Sequence, residues 1–373
     1  MEKLVQLTSD LIRFQSYTGN NTEIKNCLNY CHRYFKNQNV FVKEVDSNGI
    51  HSMLISNKDT LDLDVLILSH VDVIPAESSM FEPRIEEGKL YGRGAIDMKS
   101  FVAVTMKVLE NIVNENIKIK CGILIVGDEE TGGINGTKHW IEKIGLKAKI
   151  VLDPDGGKDI KTMIEKNKAI RIVKLISTGE EAHGSRPWLG LDANEQIFQT
   201  IHHLRKYFPY YSQMMRPADS WSSSMHVATI KGGTAINKVA ENSEAILDFR
   251  LTEDMVDPIF TKLLDTSITK GVKYEITVQS ECIYMDQNNK FLQTYSDCIE
   301  EITKSKTLYN NSSGSSGSRY FAKQNSVIII HQGTGGGPHT KNEWVDVQSL
   351  LQLEQIQTCF IKRVAGMLEQ VGC

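Results

Sequence analysis

The chain has 373 residues, 40% apolar and 24% charged, with 42 Lys and Arg against 46 Asp and Glu for a formal charge of −4. These are globular values that exclude a disordered or fibrous chain, and an acidic balance lacks the basic excess that phosphate recognition needs, so no nucleic acid is expected. At about 150 residues per domain the length predicts two to three domains. No apolar run reaches the ~18 residues that span a bilayer. The opening MEKLVQLTSDLIRF carries Glu2 and Asp10 and lacks the apolar core of an export signal. Cys27, Cys31, Cys121, Cys282, Cys298, Cys359 and Cys373 form no CxxC pair, and Cys27 and Cys31 are spaced for one helix face. A scattered, odd set without a disulfide framework fits a reducing, cytoplasmic setting.

Helical spacing runs over about 1–15 and 22–37. DVLILS (64–69) is a short apolar run of the kind a buried strand shows. An amphipathic helix follows over 98–115, then a buried strand in KCGILIVG, a helix over about 134–145 and a third strand in KIVLD (149–153). Repeated strand and helix units with apolar strands predict an α/β domain with a mostly parallel sheet. From about 170 to 281 the texture changes to strand, helix, strand, strand, helix, strand, the ferredoxin-like order. The α/β texture then resumes with a helix over about 288–303, a Ser/Gly-rich loop, the strand SVIII (326–330) and a long helix over 347–369. The expected organisation is one domain of residues 1–170 plus 282–373, interrupted by an α+β domain of residues 171–281.

Ligands of an open α/β sheet bind beyond the carboxyl ends of its strands. Three expected strands end there in acids or imidazoles: His70 and Asp72 after DVLILS, Asp128, Glu129 and Glu130 after ILIVG, and Asp153 and Asp155 after KIVL. Asp97 sits just before a helix, and His339 lies beyond the last strand. One such residue is ordinarily structural, but several at one sheet edge are not, because clustered carboxylates repel unless protons or cations compensate. Mixed imidazole and carboxylate donors suit Zn²⁺, with Co²⁺ and Mn²⁺ as alternatives. Two His and three or four acids exceed one tetrahedral ion and suffice for two ions ~3.5–4 Å apart that share a carboxylate.

The series SHVDVIPA, GRGAIDMKS, GDEETGG, an acid-Pro step and a late PHT resembles the M20 family of metallopeptidases and amidohydrolases, over essentially the whole chain. That family includes succinyl-diaminopimelate desuccinylase, acetylornithine deacetylase, aminoacylase, carboxypeptidase G2 and several di- and tripeptidases. The resemblance implies a catalytic domain with an inserted lid or dimerisation domain, two divalent ions, and hydrolysis of an amide or peptide bond in an N-acyl amino acid or short peptide. It implies His70 as a ligand of one ion, with Asp72 orienting the imidazole. Asp97 bridges, with a cis peptide to Met98. Glu129 is the general base, Glu130 and His339 complete the second ion's ligands, and Asp153 completes the first's. DPDGG also resembles the VDGG of the tripeptidases, which selects Asp155 instead; Asp153 is favoured because it lies nearer the strand end and keeps the Pro.

In the inserted domain, TGEEAHGSRPWLGLDAN resembles a family stretch in which His183 donates to the oxyanion, in many members across a dimer interface. The segment ending in DFR implies Asn237 as a polar substrate contact and Arg250 as the partner of a substrate carboxylate. An exposed loop histidine and a strand-end salt bridge are the plainer readings of His183 and Arg250. His202, His203 and His226 read as structural. GSSGSRYF departs from the family's G-G-T-D-A-R-x-F: Gly317 stands in place of the Asp, and Arg319, in register, is expected near the polar end of the substrate. The competing functions are a di- or tripeptidase or aminopeptidase on the same ions, and a binding protein that has lost catalysis; none of the ligand or base positions is missing.

Overall fold

Strands buried on both faces need unbroken apolar runs, and Asp62–His70 and Cys121–Val126 carry them in VLIL and ILIV. In the computed structural model, which describes residues 1–209 and 221–371, these strands lie side by side and parallel. Lys147–Asp153 pairs parallel with the first of them, and Val327–Ile330 parallel with Lys147–Asp153. The centre of the sheet is therefore parallel, as expected. Its flanks are not. Phe41–Ser47 and Ile50–Ser56 form an antiparallel hairpin that joins Cys121–Val126, and Thr162–Asn167 joins Val327–Ile330 antiparallel.

The helices Glu2–Arg13, Asn21–Tyr34, Lys99–Asn114, Lys290–Thr303 and Val347–Val371 accompany this sheet. Leu11, Ile12, Phe101, Val104, Tyr295 and Phe360 belong with sheet residues such as Ile67 and Ile123 to one apolar core. Cys27 and Cys31 are part of that core, one turn apart on their helix, and Cys373 lies outside the described residues. Residues 134–145 differ from the expected regular helix. Thr137–His139 forms one turn and Trp140–Ile144 continues as a π-helix, with the buried Trp140 indole donating to Ser52 Oγ at 2.7 Å. No helix among the described residues is long and apolar enough to cross a membrane.

The chain divides into two compact units, Met1–Lys166 with Tyr284–Cys373, and Asn167–Ile283. The second is a four-stranded antiparallel sheet in the order Ser224–Gly232, Asn242–Leu251, Ala169–Thr178, Val272–Gln279. Helices Ala193–Leu204 and Ile259–Ser267 contribute Ile197, Leu204, Phe260 and Leu264 to its separate core. Strand order and connectivity are those of the ferredoxin-like fold.

One small antiparallel sheet matters for the site. Trp344–Asp346 pairs with Lys89–Tyr91 on one side and with Gly335–Gly336 on the other. The loop that carries Asp97 and the loop that carries His339 therefore leave adjacent strands.

Candidate metal centre

His70 ends its strand and is 1% exposed. Its Nδ1 faces the backbone carbonyl of Asp72 at 2.9 Å, an acceptor that requires Nδ1 to carry the proton. Nε2 is thereby turned outward: it lies 3.2 Å from Asp97 Oδ1 and 3.8 Å from Asp155 Oδ2, is buried, and makes no hydrogen bond. Asp97 offers its other oxygen, Oδ2, to His339 Nε2 at 3.1 Å, and His339 Nε2 is 3.2 Å from Glu130 Oε2. Two donor groups result, His70, Asp97 and Asp155, and Asp97, Glu130 and His339, with Asp97 common to both. The peptide between Asp97 and Met98 is cis.

A buried imidazole nitrogen left without a hydrogen bond among carboxylates is a donor set that lacks its acceptor. A divalent cation fits each group, through one imidazole and two carboxylates. Without it, protons are drawn in. Burial opposes a charged His70, yet the carboxylates of Asp72 and Asp97 hold its pKa well above the ordinary value. His339 is pushed up to about 9, first by its contact with Asp97. Burial and the neighbouring carboxylates raise Asp155 well above the ordinary range, and Glu130 is raised by the same causes.

Asp72 does more than orient His70. Its two oxygens accept the backbone N–H groups of Glu129 (3.1 Å) and Glu130 (3.0 Å), which fixes both residues from beneath. Asp128 organises the next turn, with Oδ2 accepting from Asn135 N and Gly136 N. A Cβ at Gly136 would sit 2.1 Å from Asp128 Oδ1, so only glycine fits there. Glu129 heads this turn, and burial raises its carboxyl to about 7.

The structure separates two acids that the sequence left as alternatives. Asp153, favoured as a ligand from its place at the strand end, belongs to neither donor group. Its Oδ1 accepts the N–H of Asp155 at 3.0 Å and its Oδ2 accepts Ser316 Oγ–H, which bonds Ser318 in turn. An Asp that bonds the backbone two residues on forms an Asx turn, and that turn delivers Asp155 to the donor group in its place. Arg319 is buried, donates to Gly132 O (2.6 Å) and Ser316 O (2.7 Å), lies over Tyr320, and has Nη1 3.9 Å from Glu129 Oε1. A guanidinium so engaged props the loop of Glu129. At Gly317 a Cβ would meet Thr137 Oγ1 at 3.0 Å and Leu68 Cδ2 at 3.1 Å, so the position holds no larger side chain without local movement.

The candidates in the other unit keep to local partners. His183 is exposed, and its Nδ1 accepts from the N–H (3.1 Å) and the hydroxyl (2.8 Å) of Ser185. The carbonyl of Asn237 accepts the N–H of Gly184 at 2.7 Å, which puts Asn237 beside the His183 turn. Arg250 grips Asp248 of its own strand through Nε (2.9 Å) and Nη2 (3.0 Å), the salt bridge that was its plainer reading. Sequence reasoning gave Glu343 no role, although KNE directly follows the His339 motif; it is fully buried against the Asp97 loop.

The model of peptidase family M20/M25/M40 matches residues 66–363. The chain belongs to this family. It is a hydrolase acting on amide bonds, within a metal-dependent family. It is 25% identical to a succinyl-diaminopimelate desuccinylase of Nitrosomonas eutropha, over 80% of this chain and 83% of that protein. In fold it resembles an M20 family metallo-carboxypeptidase of Sulfolobus solfataricus (TM-score 0.80, 17% identity, 98% and 100% covered). It is also similar to a tripeptidase of Staphylococcus aureus (TM-score 0.76, 21% identity, 98% of each covered). As an M20 member it has the mixed α/β architecture of those structures, with the ferredoxin-like unit inserted.

Proposed function

We propose that this M20 hydrolase uses two divalent ions to cleave the amide bond of a short peptide or N-acyl amino acid. The observation that carries the reading is the pair of donor groups sharing Asp97, with Glu129 held beside them by Asp72. His70, Asp97 and Asp155 would hold one ion, and Asp97, Glu130 and His339 the other, with zinc the first choice for these donors. The ions, when bound, acidify water and polarise the scissile carbonyl.

The remaining work falls to the chain itself. Glu129 accepts the proton of the attacking water and returns it to the departing amine; its burial favours taking up that proton. Asp72 keeps Glu129 and Glu130 in place through their backbone amides, and Arg319 braces the following turn through Gly132. His183 is proposed as the donor to the developing oxyanion. Asn237 is proposed as a polar substrate contact. Arg250 is proposed to take a substrate carboxylate by exchanging it for Asp248. A homodimer through the inserted unit and a cytoplasmic setting belong to the same proposal.

Between the two substrate classes, the place of Asp155 supports short peptides. The acid in the donor group is the one that the resemblance to the tripeptidases' VDGG selects. The test is a screen of the zinc-loaded protein against di- and tripeptides beside N-acetyl and N-succinyl amino acids. Peptide turnover abolished by Glu129→Gln is the expected result; equal turnover by that variant refutes the mechanism.

A further inference from the structure

The two donor groups depend on how two separate loops are held, and neither loop is held by its ligands alone. Glu343 lies four residues beyond His339 and is fully buried. Its Oε1 accepts the backbone N–H of Ile96 (3.0 Å) and of Asp97 itself (3.1 Å). Its Oε2 pairs with the guanidinium of Arg93, which is 4% exposed at the side chain. Arg93 in turn reaches the carbonyl of Thr340, next to His339, at 3.4 Å. The backbone closes the same lattice, with Gly92 N–H donating to Glu343 O at 3.2 Å. His339 needs such support, since it holds a left-handed backbone at φ 62 that few side chains favour.

We propose that the buried Arg93–Glu343 pair is a positioning device for the two-ion centre, locking the shared carboxylate of Asp97 to the loop of His339. The inference rests on the two-ion reading above. A pair that only stapled the fold would need no particular aim. Here one carboxylate oxygen is spent on the amides at and just before the residue common to both donor groups, and the guanidinium is spent on the residue after a ligand. Groups that orient metal ligands typically change affinity 10–100-fold when altered.

The test is titration of metal-free protein with cobalt(II), following stoichiometry, affinity and visible absorption. Three proteins are compared: the natural one, Glu343→Gln, and the double variant Arg93→Met with Glu343→Leu. Replacing a buried ion pair by apolar side chains of similar size is often neutral for stability. Glu343→Leu also removes the acceptor of the Ile96 and Asp97 amides, however, so denaturant unfolding of each variant is read beside its metal binding to separate positioning from folding. The expected result is two ions in the natural protein, and in the folded variants about 10–100-fold weaker binding with an altered absorption spectrum. Natural affinity and spectrum in the double variant overturn the inference, and so does a double variant that does not fold, which assigns the pair to the fold. Fewer than two ions in the natural protein instead removes the two-ion reading beneath it.

Discussion

The two units treat their polar residues in opposite ways. In the inserted unit each charged or polar candidate finds its complement nearby: Arg250 on Asp248, His183 on Ser185, and the buried Arg171 on Asp257 at 2.8 Å. In the other unit His70, Asp97, Asp155, Glu130 and His339 face one another. Burial and neighbouring carboxylates raise Asp155 and Glu130, while against its burial the contacts with His339 and His70 hold Asp97 below the ordinary range and the two imidazoles are raised in return. A self-satisfied set stabilises its fold. A set that crowds like charges costs stability and persists where a ligand completes it. On the proposed reading, the contrast is why the unit with the crowded acids would carry the chemistry and the inserted unit would contribute by exchanging one partner for another.

The contrast can be broken most forcefully at Glu129. Glu129→Gln is expected to keep both ions and the fold while lowering kcat about 10²–10⁴-fold, the usual worth of a positioned general base; metal analysis beside turnover checks it. Next come the two neighbouring acids. Asp155→Asn is expected to lower affinity for one ion by at least about tenfold, whereas Asp153→Asn, whose Oδ1 can still accept the Asp155 N–H, leaves ion binding intact and costs about 1–3 kcal/mol of stability through the lost acceptor of the Ser316 hydroxyl. Equal effects on metal content would erase the distinction between them.

A pH test probes a satisfied histidine in the same unit. His331 is buried between Tyr295 and the Ile160 carbonyl, and burial pushes its pKa down to about 4. The unfolded chain takes up the proton near 6.5 and the fold does not. The neutral histidine's contribution is therefore complete above pH 6.5 and is lost as pH falls from 6.5 toward 4, in all about 3 kcal/mol at 1.36 kcal/mol per pH unit. Denaturant unfolding of the natural protein and His331→Gln should converge over that window; parallel curves contradict the assignment. The smallest effect is expected in the inserted unit. Arg250→Lys should change stability by about 0.5 kcal/mol or less. It should raise KM roughly tenfold for substrates with a free carboxylate, because a lysine cannot repeat the bidentate pair.

Much of this was legible in the sequence, for identifiable reasons. The central strands announce themselves by unbroken apolar runs, and the inserted sheet by alternation, as in Asn242–Leu251. The hairpin Phe41–Ser56 escaped notice because its first strand is largely exposed and shows no clean period. A signal was present nonetheless: Asn48 and Gly49 both take positive φ, the two-residue turn that Asn-Gly favours. His70, Asp97, Glu130 and His339 were readable because each follows a strand or opens a helix at one sheet edge. Asp153 and Asp155 were not separable, since both follow the same strand and only the Asx turn decides which one faces His70. Arg319 and Glu343 depend on contacts across 187 and 246 residues, which spacing does not reveal.

The central claim is that Asp97 is shared by two ions. The most direct measurement is a crystal structure of zinc-loaded protein with anomalous scattering. The account predicts two zinc peaks ~3.5–4 Å apart, one bound by His70 and Asp155, the other by Glu130 and His339, with Asp97 on both. A single peak, two peaks without Asp97 in common, or Asp153 as a ligand would contradict it.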